Sequence, residues 1–142
     1  MITVLFACIH NAGRSQMAAA WLNALSDATK VRAISAGTDP GARVHPEVVE
    51  VMREVGIDLS SAVPQLLTDE LAETVTLLVT MGCGEACPAV PGLRRMDWPL
   101  EDPQGKPITQ VREIRDDVRG RVAGLLRAEG WGQGRARVVG QV

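Results

Sequence analysis

The stretch ITVLFACIHNAGRSQMA, residues 2–18, changes its periodicity halfway along. ITVLFA (2–7) is an unbroken apolar run with β-branched residues, the pattern of a parallel-sheet strand buried on both faces. From Arg14 the spacing becomes helical: Ala18, Leu22 and Leu25 recur on one face, with Met17 and Trp21 beside them as core, and predict about three turns of amphipathic helix. Cys8 therefore stands at the mouth of a strand, Arg14 and Ser15 open a helix, and the segment Ile9 to Gly13 must turn between them.

The rest of the chain repeats the alternation. VRAISAG (31–37) reads as a second strand, and Pro46 opens a helix that stops at Gly56. Thr68 is placed to cap a short helix. TVTLLVTM (74–81) and LRRMDW (93–98) read as third and fourth strands, and Val111, Ile114, Val118, Val122 and Leu125 as the buried stripe of a last helix. This order predicts an α/β fold, a single domain with a parallel sheet flanked by helices, over residues 1–129. The Gly-rich stretch 130–142 reads as a flexible tail.

Composition narrows the function. The chain has 142 residues, a net charge of −2 and 3% aromatics, which favours neither general nucleic-acid binding nor a base-stacking platform. No secretion signal or membrane-length apolar run is visible, so a cytoplasmic protein that contacts neither membrane nor nucleic acid is expected. No exposed apolar helix demands a partner, and a monomer is expected. The three cysteines, Cys8, Cys83 and Cys87, are an odd number in a chain without a secretion signal, and point to catalysis, redox work or metal rather than a disulfide framework. Cys83 and Cys87 are spaced more widely than the usual zinc pair, and no second pair exists, so no metal is expected.

Ligands of open α/β sheets bind beyond the carboxyl ends of the strands, where Cys8 lies. Backbone N–H groups of a turn leading into a helix can converge on an anion. Gly13 admits a backbone conformation closed to other residues, and Arg14 offers a planar fork of donors. Ile9, His10, Asn11, Ala12, Gly13 and Arg14 are thus the candidate oxyanion-binding residues. The same field favours the thiolate of Cys8, to which Ser15 can donate.

Cys8, Arg14 and Ser15 match the C-x5-R-S signature of the low-molecular-weight protein tyrosine phosphatases. CIHNAGRSQMA resembles more closely their relatives, the thioredoxin-coupled arsenate reductases, as do SAGT (35–38), HPEVVEVMREVGID (45–58), TMGCGEACP (80–88) and DWPLEDP (97–103). The resemblance implies a four-stranded parallel sheet and arsenate as substrate, with phosphate or sulfate as competing anions. It implies attack of Cys8 on arsenic, stabilisation of the oxygens by Arg14 and the loop amides, and Asp102 as the general acid, with Asp97 and Glu101 as substitutes. It further implies that Cys83 attacks Cys8 to release arsenite, that Cys87 attacks Cys83, and that thioredoxin or a similar thiol reduces the last disulfide, with no bound cofactor. A spacing of four residues on a helical turn puts the Cα atoms of Cys83 and Cys87 about 6 Å apart, within disulfide range. Asn11 is expected to brace the loop, with help from Ser35. A potassium site found in some relatives uses a glutamate where this chain has Ala19.

A phosphatase acting on phosphotyrosine or small phosphoesters is the alternative, since the loop serves both reactions. An anion-sensing or phosphocarrier module is a third reading, against which Arg14 and Asp102 argue. If the loop favours the thiolate, Cys8 alkylates at close to its maximal rate at pH 7; a rate that reaches half-maximum only above pH 8 contradicts this.

Overall fold

The computed structural model describes residues 1–82 and 90–133. Among them the elements are β1 (Ile2–Cys8), α1 (Arg14–Leu25), β2 (Val31–Gly37), α2 (Pro46–Glu54), α3 (Asp69–Glu73), β3 (Leu77–Thr80), β4 (Arg94–Asp97) and α4 (Ile108–Glu129). The sheet has four strands in the order β2-β1-β3-β4, and every neighbouring pair is parallel. β1 is buried from Thr3 to Cys8, as its unbroken apolar run requires of an inner strand.

Strand alternation sends the side chains of β1 to two cores. Val4, Phe6 and Cys8 face the larger one, with Met17 and Leu22 of α1, Val48, Val51 and Met52 of α2, and Val118 and Val122 of α4. Leu5 and Ala7 face the smaller one, closed by Leu67 and by Ala72 of α3. Helices therefore cover both faces, three on one side and the short α3 on the other. Met17 and Trp21 are core, as their helical spacing predicts. None of the described helices is long and apolar enough to cross a membrane.

The local signals translate directly. Thr68 Oγ1 accepts from the Leu71 amide and caps α3, Pro46 occupies the first turn of α2, and Gly130 ends α4 in the left-handed conformation, φ 75°. β3 is shorter than its apolar run, spanning Leu77–Thr80 rather than 74–81, because Thr74 serves as the C-cap of α3 and the strand cannot begin before that helix ends. The stretch expected to be loose is tied down at its start: the Trp131 carbonyl accepts from the Asp27 amide, and Gln133 Nε2 donates to the Ser26 carbonyl at 2.7 Å. Residues 134–142 lie outside the described residues.

An ion-pair cluster fastens α4 to α2. Glu54 receives Arg112 at 2.8 Å and Arg115 at 2.9 Å, and Arg115 also donates to the Val51 carbonyl. The hydrogen bond from Arg112, with a further one from Arg115, holds the Glu54 carboxyl below its ordinary value of 4.5. A depressed carboxyl contributes stability above its unfolded value and loses it as pH falls through its folded value. Glu54→Gln is accordingly expected to lower Tm at pH 7, with the gap from the wild type closing as the pH is taken below 4.5; a gap independent of pH contradicts the assignment.

Candidate active site

The site begins with the fate of the loop carbonyls. Between Cys8 and Gly13 each one is bonded. Those of Cys8, Ile9, His10 and Ala12 accept from the amides of Thr38, Asp39, Gly41 and His45, and that of Gly13 from the Met17 amide in the first turn of α1. The Asn11 carbonyl accepts from Gln16 Nε2 at 3.1 Å. All described peptides are trans, and across a trans peptide the N–H of one residue points opposite to the carbonyl of the residue before it. The amides of Ile9, His10, Asn11, Ala12, Gly13 and Arg14 are therefore each turned away from these outer partners. The strap of residues 38–45, wrapped around the loop, produces this arrangement.

Asn11 is the non-glycine residue with positive φ among those described, at 51°. Asparagine tolerates the left-handed region, and Gly13 sits at φ −144°. Gly13 also provides space: a Cβ there would stand 2.7 Å from Pro103 Cγ. The 101–103 loop thus rests directly on the cup.

Cys8 lies buried at the bottom, with its Sγ 2.9 Å from Ser15 Oγ. The neighbours of that contact form a chain of hydrogen bonds leading to it. Asn11 Oδ1 accepts from the main-chain amide of Gln65 at 3.0 Å, which fixes the orientation of the side-chain amide. Asn11 Nδ2 therefore faces Ser15 Oγ and donates to it at 2.7 Å. Ser15 Oγ accepts that bond through one lone pair and keeps its hydroxyl hydrogen available to Cys8 Sγ.

Arg14 is also buried, and its guanidinium is set by three groups. Nη1 donates to the Leu100 carbonyl at 3.1 Å, Nη2 is 3.9 Å from Asp102 Oδ2, and the group presses on Gly82, where a Cβ would stand 2.5 Å from Nη1. Of the three carboxylates singled out in the sequence, Asp102 alone faces Arg14. Glu101 pairs with Lys106 at 3.0 Å, and Asp97 accepts from Thr80 Oγ1 on the sheet edge. Asp102 is partly exposed and accepts from the Gln104 amide, so it also holds the turn that an Asp-Pro pair suggests.

The remaining candidates sort as follows. His10 Nδ1 contacts the Asp39 carbonyl, and His45 contributes its main chain to the strap. Ser35 takes part through its carbonyl, which accepts from Gln65 Nε2. Cys83 and Cys87 lie outside the described residues. Sequence reasoning missed Gln16 and Gln65. The first is legible only as a donor one turn into a helix, and the second lies 54 positions from Asn11.

The sequence pattern of the low molecular weight phosphotyrosine protein phosphatases matches residues 3–131. A Halobacterium salinarum protein that carries the provisional name of arsenate reductase is 43% identical over 128 residues, 85% of this chain and 88% of its own length. The arsenate reductase of Staphylococcus aureus strain Newman is 35% identical over 122 residues, 82% of this chain and 90% of its own. Among solved structures, the thioredoxin-dependent arsenate reductase of Corynebacterium glutamicum superposes with a TM-score of 0.78 at 39% identity; 90% of this chain is covered, spanning 61% of that one.

Pro103 against Gly13 gives a direct test of the acid loop. Gly13→Ala is expected to push Pro103 and Asp102 outward and to lower kcat/KM about 100-fold, the usual cost of a misplacement near 1 Å; activity within a few-fold of the wild type contradicts the coupling.

Proposed function

The chain belongs to the low molecular weight phosphotyrosine protein phosphatase family. We propose that within it this protein is an arsenate reductase, contributing to arsenic detoxification, with arsenate held in the cup formed by residues 9–14. The observation that carries the reading is the loop whose carbonyls are all bonded outward above a buried thiol that Ser15 contacts. Amides and a guanidinium fixed in advance stabilise developing oxygen charge without reorganising, which makes such donors effective.

In the proposed reaction Cys8 attacks arsenic and forms a sulfur–arsenic bond. A proton from Asp102 lets one arsenate oxygen leave as water, which requires Asp102 to be protonated at that moment. Cys83 then attacks Cys8 sulfur. A disulfide forms, the electron pair of the sulfur–arsenic bond passes to arsenic, and arsenic leaves reduced by two electrons as arsenite. Cys87 attacks Cys83, moves the disulfide to Cys83–Cys87 and frees Cys8. A protein dithiol such as thioredoxin reduces it by the same exchange chemistry. Both electrons come from thiols, so the cycle uses no bound cofactor. One chain carries all three cysteines, so a monomer suffices, and a reducing compartment such as the cytoplasm suits it.

The reductase reading draws on the cysteine pair, which a phosphatase does not need, and on relatives named for arsenate reduction or for thioredoxin dependence. Gly82, the residue before Cys83 in the sequence, packs on Arg14. Phosphatase action on phosphotyrosine or small phosphoesters is the second reading, favoured by the family itself, and would use Cys8, Arg14 and Asp102 alone.

Arsenate-dependent NADPH oxidation with thioredoxin and its reductase separates the two. Cys8→Ser is expected to abolish turnover, and Cys83→Ser and Cys87→Ser to abolish multiple turnover while leaving any phosphatase activity. Full multiple turnover in both of the last two variants contradicts the shuttle.

A further inference from the structure

Five of the six loop carbonyls are held by main-chain amides. The sixth, on Asn11, is held by a side chain: Gln16 Nε2 donates to the Asn11 carbonyl at 3.1 Å and to Asn11 Oδ1 at 3.2 Å. Both residues are buried, Asn11 fully and Gln16 at 7% exposure. Asn11 is also the residue in the left-handed conformation. Its peptide with Ala12 can turn over by a change of ψ at Asn11 and φ at Ala12, without moving the chain on either side. In the observed orientation Ala12 presents its N–H to the cup. Turned over, the same peptide would present the Asn11 carbonyl, a donor replaced by an acceptor facing an anion.

We propose that Gln16 is a positioning residue, which locks the Asn11–Ala12 peptide so that the Ala12 amide donates into the cup and so sets the affinity for the oxyanion. The proposal rests on reading the loop as an oxyanion cup. It assigns Gln16 no contact with substrate. Its second contact, on Asn11 Oδ1, is shared with the Gln65 amide, and Asn11 Nδ2 donates to Ser15 independently. Loss of the Gln16 donor therefore strands the Asn11 carbonyl and leaves the Ser15–Cys8 contact supported. The consequence is a split: anion affinity falls, and the reactivity of the thiol toward a neutral reagent does not.

The test is alkylation of Cys8 by iodoacetamide with and without inorganic phosphate, in a Cys83→Ser, Cys87→Ser background where Cys8 alone reacts. Gln16→Met keeps the length of the side chain and removes its donors. Gln16→Leu also removes the donors, with a different shape and no charge, and covers the case in which the first variant folds poorly, as read by thermal melting. A hydrogen bond to a charged group corresponds to an effect of about ten-fold or more in affinity. The phosphate concentration that halves the rate is expected to rise about ten-fold or more in both variants, with the unprotected rate within about three-fold of the background protein. Equal protection by phosphate in variant and background overturns the proposal. A parallel fall of unprotected rate and protection also overturns it, since Gln16 would then only support the fold. If the background protein itself is not protected by phosphate, the cup reading fails instead, and the two failures are told apart.

Discussion

Everything in the site depends on where six carbonyls point. A turn of five residues between a buried strand and a helix would ordinarily point some acceptors inward, and each would repel an anion. Here the strap of residues 38–45 takes four of them, the first turn of α1 takes one and Gln16 takes the last. The strap can do so because β2 is parallel to β1 over seven paired positions and delivers Gly37 directly opposite Cys8. At that point the strands are so close that a Cβ on Gly37 would stand 2.5 Å from the Ile9 carbonyl oxygen. The sheet register thus becomes the electrostatics of the cup.

The thiol side follows a second chain of hydrogen bonds that shares Asn11 with the first. The Gln65 amide orients Asn11, Asn11 donates to Ser15, and Ser15 keeps its hydroxyl hydrogen available to Cys8. Gln65 is itself placed by the sheet, since its carbonyl accepts from the Gly37 amide and Leu67 donates back to the Gly37 carbonyl. One buried asparagine therefore serves both the shape of the loop and the placement of the Ser15 hydroxyl. Buried polar networks of this kind are effective only when every member is satisfied, and here each member has a partner within hydrogen-bond distance.

The fold was largely legible because its signals are local. The apolar run of β1, the period change at Arg14, the Thr68 cap and the stripe of α4 each stand within a dozen or so residues of the element they specify. The anion loop was legible for the same reason, as Cys8, Gly13, Arg14 and Ser15 are near neighbours. Tertiary contacts were not. Leu100 under Arg14, Pro103 over Gly13 and Gln65 on Asn11 join positions 54 to 90 residues apart. Gly13 carries a requirement that its neighbours in sequence do not show: beside its loop conformation, the structure asks for room against Pro103. The bonds of Trp131 and Gln133 to Asp27 and Ser26, near the end of α1, were not legible because these residues follow no period.

The cup suits phosphate and arsenate alike. What distinguishes reduction is a second thiol able to take over the bond that Cys8 forms. The claim beneath both chemistries is that the loop amides face a bound oxyanion. A crystal structure of the Cys8→Ser protein with arsenate tests it most directly. The account predicts arsenate oxygens at about 3 Å, ordinary hydrogen-bond distance, from the amide nitrogens of residues 9–14 and from Arg14, with no loop carbonyl turned toward the anion. Arsenate bound elsewhere, or a loop carbonyl facing it, would contradict the account.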